Sequence, residues 1–354
     1  MLASLFGFVT ALILTYLAIP AIIRVSKEKK LFDRPNERSA HDEPTPSLGG
    51  VAIFAGTICG IVLWEPTHTF GSLQHIVAAL FIIFLLGIRD DLFPLSPLKK
   101  LLGQVLAALV LIYPSNVKIT TLEGIVGVYE LPEAAALLLS VVAIVGIVNA
   151  FNLLDGINGL AGSAGLMACL FFGGWFLAVG HTEYAVLASA LAGALAAFLR
   201  FNFTPARIFM GDTGAMLIGA VCAVLALKFV ETNRVLPESA DLRFAAGPAI
   251  AVAALILPLF DTLRVIIRRL LSGKSPFHPD RTHVHHFMLD AGLTHTQATV
   301  ALVATGACFL VASVLLHYWG NTALLAAEVG AAFLLSVWLR RVSFAGRGTS
   351  DKST

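Results

Sequence analysis

Long apolar runs separated by short polar segments make up nearly the whole chain. About 20 apolar residues of helix are needed to cross the hydrocarbon core of a bilayer. The pattern therefore predicts an all-α polytopic membrane protein with about eleven transmembrane helices. The predicted spans are Leu2–Ile23, Gly49–Trp64, Leu73–Ile88, Leu98–Tyr113, Ala134–Ala150, Leu160–Val179, Tyr184–Phe201, Ala215–Val230, Gly247–Ile267, Ala298–His317 and Thr322–Leu339.

Composition agrees with this pattern. Of 354 residues 57% are hydrophobic and only 13% are charged, and the mean hydropathy is +0.85, which excludes an ordinary soluble domain. The first run lacks the basic start and small-residue cleavage site of a signal peptide, so we expect it to be retained. We predict one integral-membrane domain over 1–342 and a disordered tail over 343–354; no segment suggests a nucleic-acid partner.

The distribution of basic residues predicts the orientation. Of the 24 Lys and Arg residues, all but Lys118, Lys228, Arg234 and Arg243 fall on one side when loops alternate from an outside N-terminus. The positive-inside rule makes that side cytoplasmic, together with the C-terminus. On the outer side, alternating residues between 117 and 129 predict a small β-hairpin.

A polar insert interrupts the apolar pattern between the fifth and sixth runs. Asn149, Asn152, Asp155 and Asn158 recur every three residues, and because each step turns a helix by about 300° they cannot share one face. A helix that ends at the neighbouring glycines can curl these side chains around a ligand. A capped helix end with a tight turn is the alternative; it explains Asn158 and the glycines but not Asn149, Asn152 and Asp155.

Carboxylates lie at two other helix ends on the same side. Asp90 and Asp91 are adjacent at a helix C-terminus, where the helix dipole disfavours negative charge, so a metal, a proton or a nearby Lys or Arg must compensate. A solvated acidic cap is the alternative. Asp212 lies between Gly211 and Gly214 at a helix start, where backbone N–H groups can approach a phosphate; alone it would be an ordinary N-cap.

Two further inner loops carry candidate chemistry. Arg281 precedes His283, His285 and His286; without an accompanying Cys a zinc site is the less favoured interpretation, and these side chains suit the anionic oxygens of a phosphate. His41 lies in a loop whose prolines and closing glycine pair restrict the backbone more than a plain linker needs.

Within the ninth run, Asp261 and Arg264 are spaced i, i+3 and are predicted to form a structural ion pair. All the other polar clusters lie on one predicted membrane face. A transporter would instead place charges near the bilayer midplane and on both sides of a path. A site that takes a soluble phosphate-bearing substrate from the cytoplasm and a lipid from the inner leaflet fits better.

Together these residues resemble the polyprenyl-phosphate N-acetylhexosamine-1-phosphate transferases of bacterial cell-envelope synthesis, in glycosyltransferase family 4. The resemblance runs from Asp33 to about Gln297, and the His283-Val284-His285-His286 loop is similar to that of the GlcNAc-1-phosphate branch. The matching motifs are Pro35-Asn36-x-Arg38-x-x-His41 with Pro46 and Gly49-Gly50, Asp90-Asp91 with Lys100 ahead of Leu101-Leu102-Gly103-Gln104, Asn149-x-x-Asn152-x-x-Asp155-Gly156, Gly211-Asp212-x-Gly214, and Pro279-Asp280-Arg281-x-His283-x-His285-His286.

The resemblance implies an activity in the bacterial inner membrane, with the active site on its cytoplasmic face. A UDP-N-acetylhexosamine, with GlcNAc the favoured sugar, would give its sugar-1-phosphate to a polyprenyl phosphate such as undecaprenyl phosphate, releasing UMP in an early step of envelope polysaccharide or O-antigen synthesis. A phospho-MurNAc-pentapeptide transferase, or a membrane transporter without catalysis, is the alternative. A homodimer is left open.

The resemblance also implies roles for residues. Mg²⁺, or Mn²⁺ in its place, would be held by Asp212 and Asn152 with Asp91 as a further ligand, and Asp90 would orient or deprotonate the lipid phosphate. The implied catalytic residues are thus Asp90, Asp91 and Asp212. The implied substrate-binding residues are His41, then Lys100, Arg281, His283, His285 and His286 on phosphate oxygens, and Asn149, Asp155 and Asn158 nearer the uridine.

One position departs from the family pattern. Many bacterial members carry Asp-Gly-Ile-Asp-Gly where this chain has Asp155-Gly156-Ile157-Asn158-Gly159. Eukaryotic relatives also have Asn there, so activity is compatible with the amide, but a role that depends on charge at Asn158 is not.

Overall fold

The computed structural model describes residues 1–33, 45–65, 71, 73–273 and 283–350. Within these ranges the chain forms α-helices and two short antiparallel strand pairs. The elements are α1 (Leu2–Lys29), β1 (Phe32–Asp33), β2 (Thr45–Pro46), α2 (Gly49–Trp64), α3 (Leu73–Leu92), α4 (Pro97–Ile112), β3 (Thr121–Ile125), β4 (Val128–Glu130), α5 (Glu133–Leu154), α6 (Leu160–Ala178), α7 (Thr182–Asn202), α8 (Gly211–Val235), α9 (Gly247–Ala254), α10 (Ile256–Leu271), α11 (Val284–Asp290), α12 (His295–Leu315) and α13 (Asn321–Ser350).

The helices coincide with the predicted spans, except that the ninth span is divided into α9 and α10. Eight helices of the described chain are long and apolar enough to cross a membrane, and the bent α9–α10 pair makes up to nine if it counts as one span. Helices α2 and α4 have 16 residues each, fewer than the roughly 20 of a usual span. The all-helical polytopic class is confirmed, whereas the number eleven and the orientation remain predictions.

The ninth predicted span breaks at Leu255, where α9 and α10 meet at an angle of 83°. Pro258 lies in the first turn of α10. In a continuous helix its ring would clash with the carbonyl of Ala254, so the break falls at the position this proline requires. Asp261 and Val265 then lie on the buried face of α10, while Leu263 is 52% exposed on the opposite face.

Helix α8 lies at the centre of the bundle, with 94% of its apolar window buried, whereas the corresponding window of α1 is only 22% buried. Small residues allow its neighbours to approach closely, as in other membrane helix pairs. A Cβ on Gly219 would lie 2.6 Å from the Cα of Val148 in α5, and one on Gly87 of α3 would lie 2.5 Å from the Cα of Thr213. The start of α8 is thereby fixed against α3 and α5.

The loops 92–97, 154–160 and 202–211 and the described segment 283–295 meet at one end of the bundle, where Asp91 contacts Asp212 and Asn158 contacts Thr204 and His295. At the other end, β3 and β4 pair with Thr121 opposite Glu130, at the position of the predicted hairpin. The β1–β2 pair was not predicted from the sequence. Helix α13 continues to Ser350, so the tail predicted to be disordered from 343 is helical up to that residue.

Candidate active site

The ammonium group of Lys100 is surrounded by oxygen atoms at the end of the bundle where these inner loops meet. Lys100 Nζ in the first turn of α4 forms an ion pair of 3.0 Å with Asp90 Oδ2 at the end of α3. It donates to Asn152 Oδ1 at 3.1 Å and to Asp212 Oδ2 in a very short ion pair. The Asn152 amide also donates to Asp212 Oδ1 at 2.7 Å. Three helices, α3, α5 and α8, thus direct polar groups to one cation on a fourth, α4.

Asp91 points away from this cation, toward the N-terminus of α8. Its Oδ1 accepts the backbone N–H of Asp212 at 2.7 Å, and its Oδ2 accepts the N–H of Thr213 at 3.1 Å and the Thr213 hydroxyl at 2.5 Å. Free N–H groups and the helix dipole stabilise a carboxylate at this place. Because both oxygens are engaged, the structure gives Asp91 the role of holding Asp212 in position rather than that of an open metal ligand.

Gly211 makes this arrangement possible. Its φ of +70° lies in the left-handed region that favours glycine, and a Cβ there would approach both Asp91 carboxylate oxygens to 2.8 Å and collide with the Ser47 carbonyl oxygen. The glycine therefore brings the Asp91 carboxylate and the start of α8 together.

The proline- and glycine-rich segment before α2 supports the same turn. Gly49 N–H donates to the carbonyl of Phe209 at 2.9 Å, Gly50 N–H donates to that of Met210 at 2.8 Å, and Phe209 N–H donates to that of Pro46 at 2.7 Å. The restricted backbone predicted here thus serves to hold the loop before Asp212. His41 lies outside the described residues, as does Arg281.

The polar residues of the insert between α5 and α6 lie in different environments in the structure. Asn149, in the last turns of α5, exchanges hydrogen bonds with Gln104 of α4 at 2.7 and 3.3 Å. Asn149 thus links α5 to α4, and the uridine-side role predicted for it remains a prediction. Asn152 and Asp155, one turn further on, face the cavity.

Asp155 and Asn158 lie on the loop that leaves α5. Burial, followed by the charges of Asp212 and Asp91, raises the pKa of the Asp155 carboxyl to about 7. The Asn158 amide donates to the Thr204 hydroxyl at 3.1 Å. The loop turns at Gly159, whose φ is +80°.

The three histidines occupy different environments. His283 Nδ1 lies 2.8 Å from Asp261 Oδ2, and Asp261 Oδ1 accepts the Val284 N–H at 3.0 Å and the Arg264 guanidinium at 2.7 Å. The predicted ion pair between Asp261 and Arg264 is confirmed. It also holds His283 and caps α11, functions that the sequence prediction did not include.

His285 is 2% exposed, and its ring packs on Gly156, where a Cβ would collide with Nε2. Burial, followed by the charge of His286, lowers its pKa to about 3. His285 is not among the described residues that line the polar cavity, and the contact with a phosphate oxygen predicted for it remains a prediction. Of the three, His286 is the one that lines the polar cavity.

The polar cavity has a volume of about 540 Å³. It brings together predicted site residues from α3, α5, α8 and α11 that are up to about 200 positions apart in the chain. The residues on its wall that the sequence analysis did not single out as ligands include Ser47, Phe209 and His295. The described lining residues are Phe32, Ser47, Asp90, Asp91, Pro94, Asn152, Asp155, Gly156, Ile157, Asn158, Asn202, Phe209, Gly211, Asp212, His286 and His295.

The donor set around Lys100 is compatible with Mg²⁺. Within the described part of the chain, no three His, Cys, Asp or Glu side chains are grouped so as to hold a metal by themselves. The Asn152 and Asp212 oxygens nevertheless converge with that of Asp90 on one positive charge, and carboxylate and amide oxygens are the ligands that Mg²⁺ prefers. Asp212 and Asn152 therefore fit the predicted metal role.

Known proteins resemble this chain over nearly its whole length. Residues 73–230 match the family Glycosyl transferase family 4. The decaprenyl-phosphate N-acetylglucosaminephosphotransferase of Mycolicibacterium smegmatis is 33% identical, with 96% of this chain and 88% of the relative aligned. The undecaprenyl-phosphate alpha-N-acetylglucosaminyl 1-phosphate transferase of Haemophilus influenzae is 33% identical over 78% of this chain and 77% of its own.

The Pasteurella multocida protein with the same printed name as the Haemophilus one is 34% identical over 80% of this chain and 78% of its own. The chain therefore belongs to the polyprenyl-phosphate N-acetylhexosamine-1-phosphate transferases of glycosyl transferase family 4.

Proposed function

We propose that this protein transfers GlcNAc-1-phosphate from UDP-GlcNAc to a polyprenyl phosphate, releases UMP, and does so on the cytoplasmic face of a bacterial inner membrane as an early step of envelope polysaccharide synthesis. The observation that carries the proposal is the Lys100 ammonium held by Asp90, Asn152 and Asp212 beside an open polar cavity. Positive charge and oxygen ligands at one point suit a diphosphate and a divalent metal.

The reaction exchanges one phosphoanhydride for another. An oxygen of the lipid phosphate forms a bond to the β-phosphorus of the sugar nucleotide, and the bond between that phosphorus and the bridging oxygen breaks. The electron pair leaves with UMP. Because both substrates are anions, the protein mainly has to bring them together and stabilise the charge at the β-phosphorus.

Within this site Asp212 and Asn152 would hold Mg²⁺. When bound, the metal would neutralise phosphate oxygens as a Lewis acid. Lys100 supplies a further positive charge in the same site, and its ammonium, with three hydrogen-bond donors, can contact phosphate oxygens of the substrates. Asp91 keeps Asp212 at the start of α8.

Asp90 is placed to orient the acceptor. Its Oδ1 accepts the Leu95 N–H at 2.6 Å and its Oδ2 pairs with Lys100, so the carboxylate is fixed on both sides. His286, on the wall of the same cavity, would donate to a phosphate oxygen. His283 lies behind it, held by Asp261.

We favour direct attack by the lipid phosphate over a phospho-enzyme, since a phosphate dianion is already a nucleophile. A phospho-enzyme would require one carboxylate to be free for attack, but Asp90, Asp91 and Asp212 each accept hydrogen bonds or ion pairs. Exchange of labelled UMP into UDP-GlcNAc by rigorously lipid-free protein would contradict direct attack.

One experiment distinguishes the proposed transferase from a phospho-MurNAc-pentapeptide transferase and from a non-catalytic membrane protein. Purified protein is incubated with Mg²⁺, undecaprenyl phosphate and UDP-GlcNAc, UDP-GalNAc or UDP-MurNAc-pentapeptide, and UMP is measured. We expect lipid-dependent UMP release with UDP-GlcNAc. Release with only the pentapeptide nucleotide would indicate the phospho-MurNAc-pentapeptide transferase, and no release with any donor would favour a non-catalytic membrane protein.

The variant Asp212→Asn tests the site itself. It keeps one oxygen at this position but loses the charge that pairs with Lys100 and would bind the metal. We expect turnover to be nearly abolished while the melting temperature of the protein changes little. Full activity of this variant at saturating Mg²⁺ would refute the metal role.

A further inference from the structure

Asn202 is the last residue of α7, and its side chain joins two loops of the site. Its Oδ1 accepts the backbone N–H of Gly159 at 2.7 Å, and its Nδ2 donates to the carbonyl of Ile208 at 2.9 Å. The residue is only 4% exposed. One buried amide thus connects the loop that follows α5 with the loop that precedes α8.

Both loops form part of the wall of the polar cavity. Residues 155–158, which precede Gly159, all line it, and so do Phe209 and Asp212, which follow Ile208. Asp212 is one of the proposed metal ligands, whereas the segment 155–158 contains residues expected nearer the uridine. The Asn202 amide therefore lies between the parts of the site that would hold the two ends of a sugar nucleotide.

The two loops approach each other closely at Gly159. Its φ is +80°, and a Cβ there would lie 2.6 Å from the ring of Phe203. Gly159 and Ile208 are both buried. Loss of the Asn202 amide would therefore deprive an N–H and a carbonyl of this partner away from water, which is unfavourable.

A second link between the same loops lies nearer the solvent. The Asn158 amide donates to the Thr204 hydroxyl at 3.1 Å in an exposed position, where water competes for both groups. The link through Asn202 is the shorter and the buried one of the two.

We propose that Asn202 is a positioning residue of the transfer reaction, which fixes the distance between the loop 155–159 and Asp212 so that one sugar nucleotide meets both. This inference rests on the proposed function, since it assumes that a uridine diphosphate sugar occupies the cavity. Asn202 acts through the loops that it holds and not on the reacting atoms.

A change in this distance should affect transfer more than binding. Transfer requires the attacking and leaving oxygens to be aligned on the β-phosphorus, and a displacement of about 1 Å can cost about 100-fold in rate. UMP has one phosphate and no reacting bond to align, so its binding tolerates a small change in the distance.

Two variants of Asn202 test this expectation. Asn202→Asp keeps an acceptor for the Gly159 N–H but places a second oxygen against the Ile208 carbonyl, and Asn202→Leu, of similar volume, loses both bonds. We expect kcat to fall about 10-fold in Asn202→Asp and about 100-fold in Asn202→Leu. The Kd for UMP should stay within about threefold of the wild-type value in both.

Asn233 provides a matched control at the other end of α8. It is 1% exposed, its Oδ1 accepts the Phe244 N–H at 2.8 Å, and its Nδ2 donates to the Phe244 carbonyl at 2.8 Å. Asn233→Asp therefore perturbs a buried amide with the same kinds of partner, far from the cavity. It should lower the melting temperature as Asn202→Asp does and leave kcat unchanged.

Calorimetry on the detergent-purified protein gives the Kd for UMP and the number of UMP-binding sites, and UMP release from UDP-GlcNAc gives kcat per binding site. A raised Kd with kcat per site retained would make Asn202 a ligand contact. Fewer binding sites with kcat per site retained, or an equal loss of kcat per site in Asn233→Asp, would make its role purely structural. Each of these results would overturn the proposal.

Asn202→Asp decides the question alone if Asn202→Leu does not fold. Wild-type protein that neither binds UMP nor releases it from any sugar nucleotide would instead overturn the proposed function.

Discussion

The Asp91 carboxylate accepts the backbone N–H of Asp212 at 2.7 Å, so the residue that follows Asp90 in sequence positions a candidate site residue from another helix. Asp91→Asn would replace one acceptor oxygen by an N–H₂ group that faces N–H donors. We expect the start of α8 to shift and the apparent affinity for Mg²⁺ and kcat to fall about 10- to 100-fold, as for other groups that orient metal ligands. Mg²⁺ titration of UMP release measures both.

Thr213→Val is the comparison for Asp91→Asn. It removes the hydroxyl bond to Asp91 but leaves both backbone donors in place. A smaller loss of kcat than in Asp91→Asn is expected. Equal losses would mean that the hydroxyl, and not the N-terminus of α8, determines the position of Asp91.

Lys100 occupies the point at which the oxygens of Asp90, Asn152 and Asp212 converge. We expect its ammonium to compete with a divalent cation for these oxygens in the absence of substrate. Lys100→Met should therefore bind Mn²⁺ more tightly than wild type while turnover falls by about 10²- to 10³-fold, the usual cost of a lost electrostatic contact at a reacting phosphate. Electron paramagnetic resonance measures Mn²⁺ binding, and UMP release measures turnover.

A neighbouring lysine provides the control for this variant. Lys99→Met removes an adjacent charge on α4 that makes no contact with the three oxygens. It should leave Mn²⁺ affinity near the wild-type value. Weaker Mn²⁺ binding by Lys100→Met would show that Lys100 assists the cation instead of competing with it.

The pKa of Asp155 is raised to about 7 in the folded protein, against about 3.9 in an unfolded chain. Between these values the folded state binds more protons than the unfolded state, so stability falls as pH rises from about 4 to about 7. Asp155→Asn removes this cost of ionisation. Its melting temperature, measured without ligands, should exceed that of wild type by more at pH 8 than at pH 6.

Glu130→Gln is the matched control for Asp155→Asn, because Glu130 is exposed on the hairpin at the opposite end of the bundle. Its melting temperature should follow that of wild type at both pH values. A pH-independent difference between Asp155→Asn and wild type would contradict the raised pKa.

Asp261 combines three interactions that a double variant can separate. Asp261→Asn leaves the Arg264 guanidinium beside a neutral amide in a buried place, and breaking a buried pair typically costs about 3–5 kcal/mol. Asp261→Asn with Arg264→Met should regain much of the thermal stability. Activity should not return, because His283 still lacks the carboxylate that holds it; recovery of both would show that Asp261 has only a structural role.

The helices were predictable because apolar runs of membrane length have few alternatives, and the break in the ninth run could have been found from Pro258. The directions in which the Asp90 and Asp91 side chains point could not be predicted from the sequence. Adjacent residues on a helix differ by about 100°, so Asp90 and Asp91 face different neighbours, and only the packing of α3 against α8 decides which of them meets Lys100.

The environments of the histidines could not be predicted from the sequence either. His283, His285 and His286 have the same side chain, but Asp261 holds the first and burial keeps the second neutral. His295 carries no local pattern at all, since its partner Asn158 is brought to it by the packing of the loop after α5 on α12. Residue type and spacing give the chemistry of such a site, whereas the division of roles comes from contacts between distant segments.

Asn158 provides the last test, because the family often has Asp there. Its amide donates to the Thr204 hydroxyl at 3.1 Å, and in Asn158→Asp the same hydroxyl can rotate and donate to the carboxylate, so the bond is kept with its direction reversed. The new charge shares the cavity with Asp155 and repels the donor's diphosphate. We expect kcat to be retained and the KM for UDP-GlcNAc to rise by a few-fold, roughly 1 kcal/mol, whereas Asn158→Leu, which cannot bond Thr204, should lower kcat as well. An inactive but folded Asn158→Asp protein would show that the amide itself is required in this chain.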